Sequence, residues 1–257
     1  MNFALALRSY EFWWTFYRRT WRGSVATSLI NPVFYLAAIG VGLGTLVNKS
    51  TSTPGGVEYL AFVAPGVLAA TAMQVATTEA SWPVLGSIKW TRNYYAMLAT
   101  PLGIRDIVVG HQLWMATRVL ISSAIYLAVI GVFGGLHSPL AVLALPACVL
   151  IGIAFAAPMA GYAATREQDG AFVPVFRFGV VPMFLFSGTF FPISRLPQAL
   201  EWLAWVTPLW HGVDLCRGLT LGTIRWPLAL AHVGYLCVWA VGGLLLALYT
   251  YRRRLLK

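Results

Sequence analysis

The sequence predicts an all-α membrane protein: six transmembrane helices, an N-terminal interfacial amphipathic helix, and outer re-entrant helices between spans five and six. Three observations predict it. Ser24–Val47, Tyr59–Ser81, Met115–Gly135, Pro139–Tyr162, Val173–Phe191 and Pro227–Tyr251 are apolar runs, each near the ~20 residues a helix needs to cross a hydrocarbon core. Of the 257 residues, 59% are hydrophobic and only 10% are charged, against about 25% charged in a soluble domain. The charge is also pushed between and beyond the runs. The whole chain reads as one transmembrane domain: 1–23 interfacial, 24–191 spans one to five, 192–226 outer re-entrant segment, 227–257 span six and a basic tail.

The net charge of +10 reads as topology rather than nucleic-acid binding, because cytoplasmic loops collect Lys and Arg. Arg8, Arg18, Arg19 and Arg22 precede span one; Lys89, Arg92 and Arg105 separate spans two and three; Arg166 follows span four; Arg252, Arg253, Arg254 and Lys257 close the chain. The opposite loops hold Lys49, Arg195, Arg217 and Arg225 beside Glu58, Glu201 and Asp214. Both termini are therefore expected in the cytoplasm. Residues 1–22 do not read as a cleavable signal, since Arg18 and Arg19 interrupt the apolar core such a segment needs. Their aromatics, interspersed with Arg and Glu at helical period, predict a helix lying in the inner interface; it serves either as a plain anchor or in docking a partner.

Between spans two and three, the middle of the segment 82–102 can form a short amphipathic helix in which Tyr94, Tyr95, Met97 and Leu98 offer apolar surface. Thr100-Pro101 ends it, because a residue before proline avoids the helical region. That helix is either a docking knob or an interfacial helix held by its own aromatics. Span one carries Asn31-Pro32 and Gly40-x-Gly42-x-Gly44, a small-residue face for close helix contact. Pro174, Gly179, Pro182 and Gly188 predict a kinked span five. The segment 192–225 is too polar and proline-rich to span, yet carries Trp202, Trp205 and Trp210, so it predicts helices that enter the outer leaflet and return.

Ionisable residues inside spans are functional candidates because lipid burial is costly. Glu79 and Arg118 lie near the inner ends of spans two and three and are expected to pair; the alternative is that each snorkels separately to the interface. Arg177 is expected to snorkel. Asp214 and Arg217 have i, i+3 helical spacing and suit a solvated pair or a substrate contact. His211 is isolated in sequence, and His111, His137 and His232 share no ligand spacing with it, so no metal site is expected. Cys148 and Cys237 read as small apolar fillers, and no disulfide framework is expected with Cys216.

The run 184–192 (Phe-Leu-Phe-Ser-Gly-Thr-Phe-Phe-Pro), then Leu196-Pro197, Pro208-Leu209, Asp214 and Arg217, resembles the C-terminal signature of type-2 ABC-exporter permeases. The likeness is to the branch of the NodJ and daunorubicin-exporter permeases. Tyr59–Gly66, Gly103–Gly110 and Arg252–Leu256 are similar to that branch too, so the resemblance spans nearly the whole chain. It implies a bacterial inner-membrane permease that pairs with a second permease copy, as a homo- or heterodimer, and carries two cytoplasmic ABC ATPase subunits. The coupling helix would be Arg92, Asn93, Tyr94, Tyr95, Met97 and Leu98, and the outer re-entrant helices would fall within Pro192–Leu221. Tyr94-Tyr95 stands where related chains often carry an acidic residue, so contacts with the ATPase are expected to be aromatic rather than ionic. Spans one and five from the two subunits would line the path with Phe34, Tyr35, Phe176, Phe178, Phe184 and Phe186, an apolar and aromatic wall suited to an amphipathic cargo such as a lipo-oligosaccharide, lipid or hydrophobic drug.

The residues agree on one exclusion: no stretch fits the P-loop pattern, and Gly86-Ser87-Ile88-Lys89 lacks its second glycine. No cofactor is expected on this chain; ATP and Mg belong to the partner. Two other readings compete. A membrane enzyme acting on lipid-linked substrates would have to use Glu167 and Asp169. An ion-coupled secondary transporter would usually show inverted repeats and mid-span charge.

Overall fold

The computed structural model describes residues 3–38, 42 and 57–256. Five stretches among them are long and apolar enough to cross a membrane: Tyr59–Lys89, Ile104–Val132, Pro139–Ala163, Asp169–Phe186 and Trp226–Leu255. The remaining expected span, Ser24–Val47, is described through residue 38 and at residue 42. The small-residue face of residues 40–44, apart from Gly42, and residues 48–56 lie outside the described residues.

Helix α1 (Phe3–Ala37) differs from expectation, because the boundary near residue 23 is absent and one helix runs through Gly23 and Pro32. A glycine inside a helix costs about 1 kcal/mol relative to alanine, and packing along α5 (Ile104–Val132) outweighs that. Ala6, Ser9, Trp13 and Tyr17 are buried. The approach is close because position 110 has no side chain: a Cβ there would stand 2.5 Å from the Ala6 carbonyl oxygen and from Ser9 Cβ. The aromatics thus divide, Trp13 and Tyr17 inward, Phe3, Phe16 and Trp21 exposed beside Arg18, Arg19 and Arg22.

Helix α2 (Tyr59–Glu79) is the central element, buried without interruption from Ala61 to Ala70. It packs on α5, α6 (Ala144–Ala163) and α9 (Pro208–Leu221). After a break at residues 80–81, α3 (Trp82–Lys89) carries Pro83 in its first turn, where the missing N–H costs nothing. Helix α4 (Asn93–Leu98) starts from Arg92 in the left-handed conformation, φ 52°, a region uncommon for residues with a Cβ. Helix α5 begins at Ile104, before the expected start at Met115, because Asp106 Oδ2 accepts from the Gly103 backbone N–H at 3.0 Å and caps the end.

Helix α7 (Asp169–Phe186) contains a π turn at Phe176–Val180. That turn immediately precedes Pro182, which has no N–H to return to the Phe178 carbonyl. The helix unwinds at Ser187, short of the expected Phe191, and Gly188 takes φ 77°. The segment 192–225 holds a 3-10 turn at Ile193–Arg195 and two α-helices, α8 (Gln198–Val206) and α9, and α10 (Trp226–Leu255) then returns along α6.

Candidate functional site

Three places in this bundle concentrate polar chemistry. The first is a cavity of about 470 Å³ between α1, α2, α5 and the end of α7. Thr71, Gln74 and Thr78 line it from one face of α2, Ser28 from α1, and Ser122 and Tyr126 from α5. Glu79 and Arg118 also line it: Arg118 Nε donates to Glu79 Oε1 at 3.0 Å, with side-chain exposures of 12% and 21%. The two side chains expected to pair are therefore in contact. The guanidinium also lies 4.8 Å from the Tyr17 ring centroid, which ties α1 to the pair. Arg118 Nη1 and the Tyr126 hydroxyl are buried without a hydrogen-bond partner among the described residues. Such donors carry a desolvation cost that a ligand oxygen can relieve.

Of the six aromatics expected to line a path, Tyr35 and Phe184 reach the cavity. Phe34 and Phe178 are 72% and 76% exposed, Phe186 is exposed, and Phe176 packs 5.1 Å from Trp82. Phe34 lies about 100° round α1 from Tyr35, and the π turn shifts the angular register between Phe178 and Phe184. Hydroxyl, amide and charged groups share the wall with Pro32, Val67 and Val75. The polar residues Thr71, Gln74 and Thr78, spaced three and four apart, carry a readable signal of a polar helix face; Ser28 and Ser122 have none.

The second place is the end of the bundle that carries α3 and α4. Tyr94 and Met97 are not docking surface, as the sequence suggests, but buried. Tyr94 turns under the helix because its hydroxyl is 2.6 Å from His111 Nδ1 on α5 and 3.4 Å from the Tyr251 hydroxyl on α10. Arg92 and Tyr95 are the exposed members, with Asn93 and Leu98 half-buried. Arg92 and Tyr95 line a groove of about 720 Å³ with Ile88, Lys89, Glu167 and Arg254. Lys89 Nζ donates to the Glu167 carbonyl, and Arg254 pairs with the Glu167 carboxylate. The hydrogen bond from Arg254, with its charge, holds the Glu167 carboxyl below the usual carboxylate range. His111 and Tyr251 could not be found in sequence, because nothing local marks which buried ring meets Tyr94.

The third place is the packing of α8, α9 and α10. The i, i+3 pair expected between Asp214 and Arg217 is absent from the salt bridges of the described residues, and each side chain is engaged elsewhere. Arg217 Nε donates to the Phe62 carbonyl at 3.1 Å and Nη2 to the Gly188 carbonyl at 2.7 Å, while its guanidinium lies 3.8 Å from the Phe62 ring centroid. The carbonyls left unpaired where α7 unwinds need donors, and this demand outweighs a half-exposed pair. Gly66 makes the room: a Cβ there would stand 2.9 Å from the Thr189 carbonyl oxygen and 3.1 Å from Arg217 Nη2.

Asp214 instead joins a chain that corrects the expectation of an isolated His211. His211 Nε2 is 3.0 Å from the Trp205 carbonyl oxygen, His211 Nδ1 is 2.8 Å from His232 Nδ1, and His232 Nε2 is 3.1 Å from Asp214 Oδ2. Three contacts need three hydrogens and two neutral rings carry two, so the chain is complete only with one further proton. The hydrogen bond from His232 first, then the charges of His232, Arg217 and Arg225, hold the Asp214 carboxyl below its usual range against the opposing effect of burial. Trp210 stands edge-on to both imidazoles, and Trp205 connects it to Trp202, with successive centroids 6.5 and 6.0 Å apart. Trp202 and Trp205 are exposed. No group of three or more metal-ligating side chains occurs among the described residues.

Comparison with known proteins adds an independent finding. Residues 9–221 match the profile of a family described as ABC-2 type transporter. The chain is similar to Nodulation protein J of Rhizobium leguminosarum bv. viciae, 34% identical over 236 residues, covering 91% of this chain and 88% of that protein. Its counterpart in R. leguminosarum bv. trifolii is 33% identical over 252 residues, covering 95% and 94% of the two chains. That of Rhizobium meliloti is 31% identical over 233 residues, covering 91% and 87%.

Proposed function

We propose that this chain, which belongs to the ABC-2 type transporter family, exports an amphipathic cargo with energy supplied by a separate ATPase. Family membership makes it the multi-pass membrane subunit of an ABC exporter, a transport protein rather than an enzyme. The cargo and the energy source are the further step. The cavity between α1, α2, α5 and α7 carries it: a wall of hydroxyls, one amide and an ion pair suits a polar head group. Val33, Phe34, Val173 and Phe178 on the adjacent helices are exposed and apolar, so an acyl or other apolar tail can remain outside.

In this reading the groove beside Arg92 and Tyr95 receives a cytoplasmic ATPase subunit. A second permease copy brings the second ATPase, both termini are cytoplasmic in a bacterial inner membrane, and α8 and α9 form the outer re-entrant pair. The basic residues Lys89, Arg92, Arg105 and Arg252–Arg254 at the groove's end of the bundle support that orientation. ATP and Mg bind the partner, since the chain has no P-loop. The enzyme reading loses its acid pair, because Glu167 is engaged by Arg254 and Lys89.

Co-purification from native membranes followed by an ATPase assay tests the proposal. A P-loop subunit in fixed ratio is expected, and Arg92→Glu with Tyr95→Ala should release it. A preparation that is pure, folded and free of any ATPase would overturn it.

A further inference from the structure

Tyr94, His111, Tyr251 and Trp13 come from four different helices and meet at one buried point. Each of the first three is at most 1% exposed. The Tyr94 hydroxyl is 2.6 Å from His111 Nδ1 and 3.4 Å from the Tyr251 hydroxyl. The other side of the imidazole is covered by Trp13, stacked with centroids 3.9 Å apart and planes within 2°. Helix α4 is six residues long and crosses nothing. Beyond the short backbone links to α3 and α5, it is joined to the spans by the side chains it buries.

Two of its side chains are buried, and they differ in what they can transmit. Met97 is flexible and fills space. Tyr94 is a rigid ring with a directional bond at its tip, set in a close-packed interior that transmits displacement rather than absorbing it. His111 Nε2 has no hydrogen-bond partner among the described residues. An orphaned buried N–H is rarer than an orphaned acceptor, which favours one polarity: His111 Nδ1–H donates to Tyr94, and the Tyr94 hydroxyl donates to Tyr251. One bond then orients Tyr94 against α5, and a second, longer one against α10, while Trp13 carries the contact to α1.

We propose that the Tyr94–His111 hydrogen bond, braced by Tyr251 and Trp13, is the joint through which a displacement of α4 reaches α1, α5 and α10 together. Tyr94 and His111 are positioning residues for energy coupling, distinct from the exposed Arg92 and Tyr95 that face the ATPase. This rests on the exporter reading above. It assigns to the joint the task of making the cavity wall, built on α1 and α5, respond to nucleotide.

The test uses the intact complex with its ATPase. Cys237, the exposed cysteine of the three, is replaced by serine, and Thr71→Cys places a reporter in the cavity. Labelling by a membrane-impermeant maleimide is compared in nucleotide-free and ADP–vanadate-trapped complexes. A several-fold difference between the two states is expected in the parent, and Tyr94→Phe should reduce it to less than twofold with the ATPase still bound. The double variant Tyr94→Phe/His111→Leu removes the orphaned donor and restores apolar packing without restoring the bond. It should fold as well as the parent and still lack the response. A full response in either variant overturns the joint. Absence of an ATPase from the parent overturns the exporter reading instead, and the joint with it.

Discussion

Breaking the Glu79–Arg118 contact one side at a time, and then exchanging its charges, tests whether the pair fixes α2 against α5. Removing one partner of a fully buried ion pair costs about 3–5 kcal/mol. These side chains are 21% and 12% exposed and border a cavity, so water recovers part of the loss, and we expect about 2–3 kcal/mol for Glu79→Gln. Arg118→Gln should cost about 1 kcal/mol more, because it also removes the guanidinium 4.8 Å from the Tyr17 ring. Glu79→Gln with Arg118→Gln loses both charges together, so the cycle should give a coupling energy of about 1.5–2.5 kcal/mol. The exchanged protein, Glu79→Arg with Arg118→Glu, regains the pair but not the Tyr17 contact. It should recover all but about 1 kcal/mol of stability, together with most of the transport lost in the single variants. The assay is reversible unfolding in mixed micelles, paired with export in cells. A coupling energy below about 0.5 kcal/mol, the range of additive sites, or an exchange that rescues neither readout, would refute the reasoning.

Arg217→Lys should destabilise the packing of α9 on α2 by about 2–4 kcal/mol, because a single ammonium cannot serve the Phe62 and Gly188 carbonyls and cover the Phe62 ring at once; equal unfolding midpoints for Lys and Arg would contradict this. Gly66→Ala should cost about 1–3 kcal/mol, since its Cβ meets backbone at Thr189 and displaces Arg217, and a protease-accessibility map should show the damage centred on residues 187–191. Because the Asp214 carboxyl is held low chiefly by the hydrogen bond from His232, its contribution is present above the ordinary carboxylate pKa of about 4 and is lost as pH falls through its lower folded value. Thermal stability in detergent should fall in that acid window in the parent and stay flat in Asp214→Asn. The Glu167–Arg254 contact has the same sign, so Glu167→Gln should remove a second acid-labile component, read as protease sensitivity of residues 164–170.

The sequence by itself determined what depends on composition and local pattern. Long apolar runs and scarce charge are one-dimensional facts, and they carry the membrane class and most of the span positions. The break in α7 was legible too, because Pro182 cannot donate to the turn before it whatever surrounds it. Only tertiary structure decided which way side chains face and what they meet. Tyr94 and Tyr95 look equivalent as neighbours, yet one is buried on His111 and the other exposed, since successive helical residues point about 100° apart and only the partner helices say which side is inside. Asp214 and Arg217 suit a local pair, but the unwound end of α7 and His232 offered better partners from distant parts of the chain. The polar face of Thr71, Gln74 and Thr78 could be read as a face; that α1 and α5 add Ser28, Ser122 and Arg118 to make it a cavity follows from packing, which no local pattern encodes.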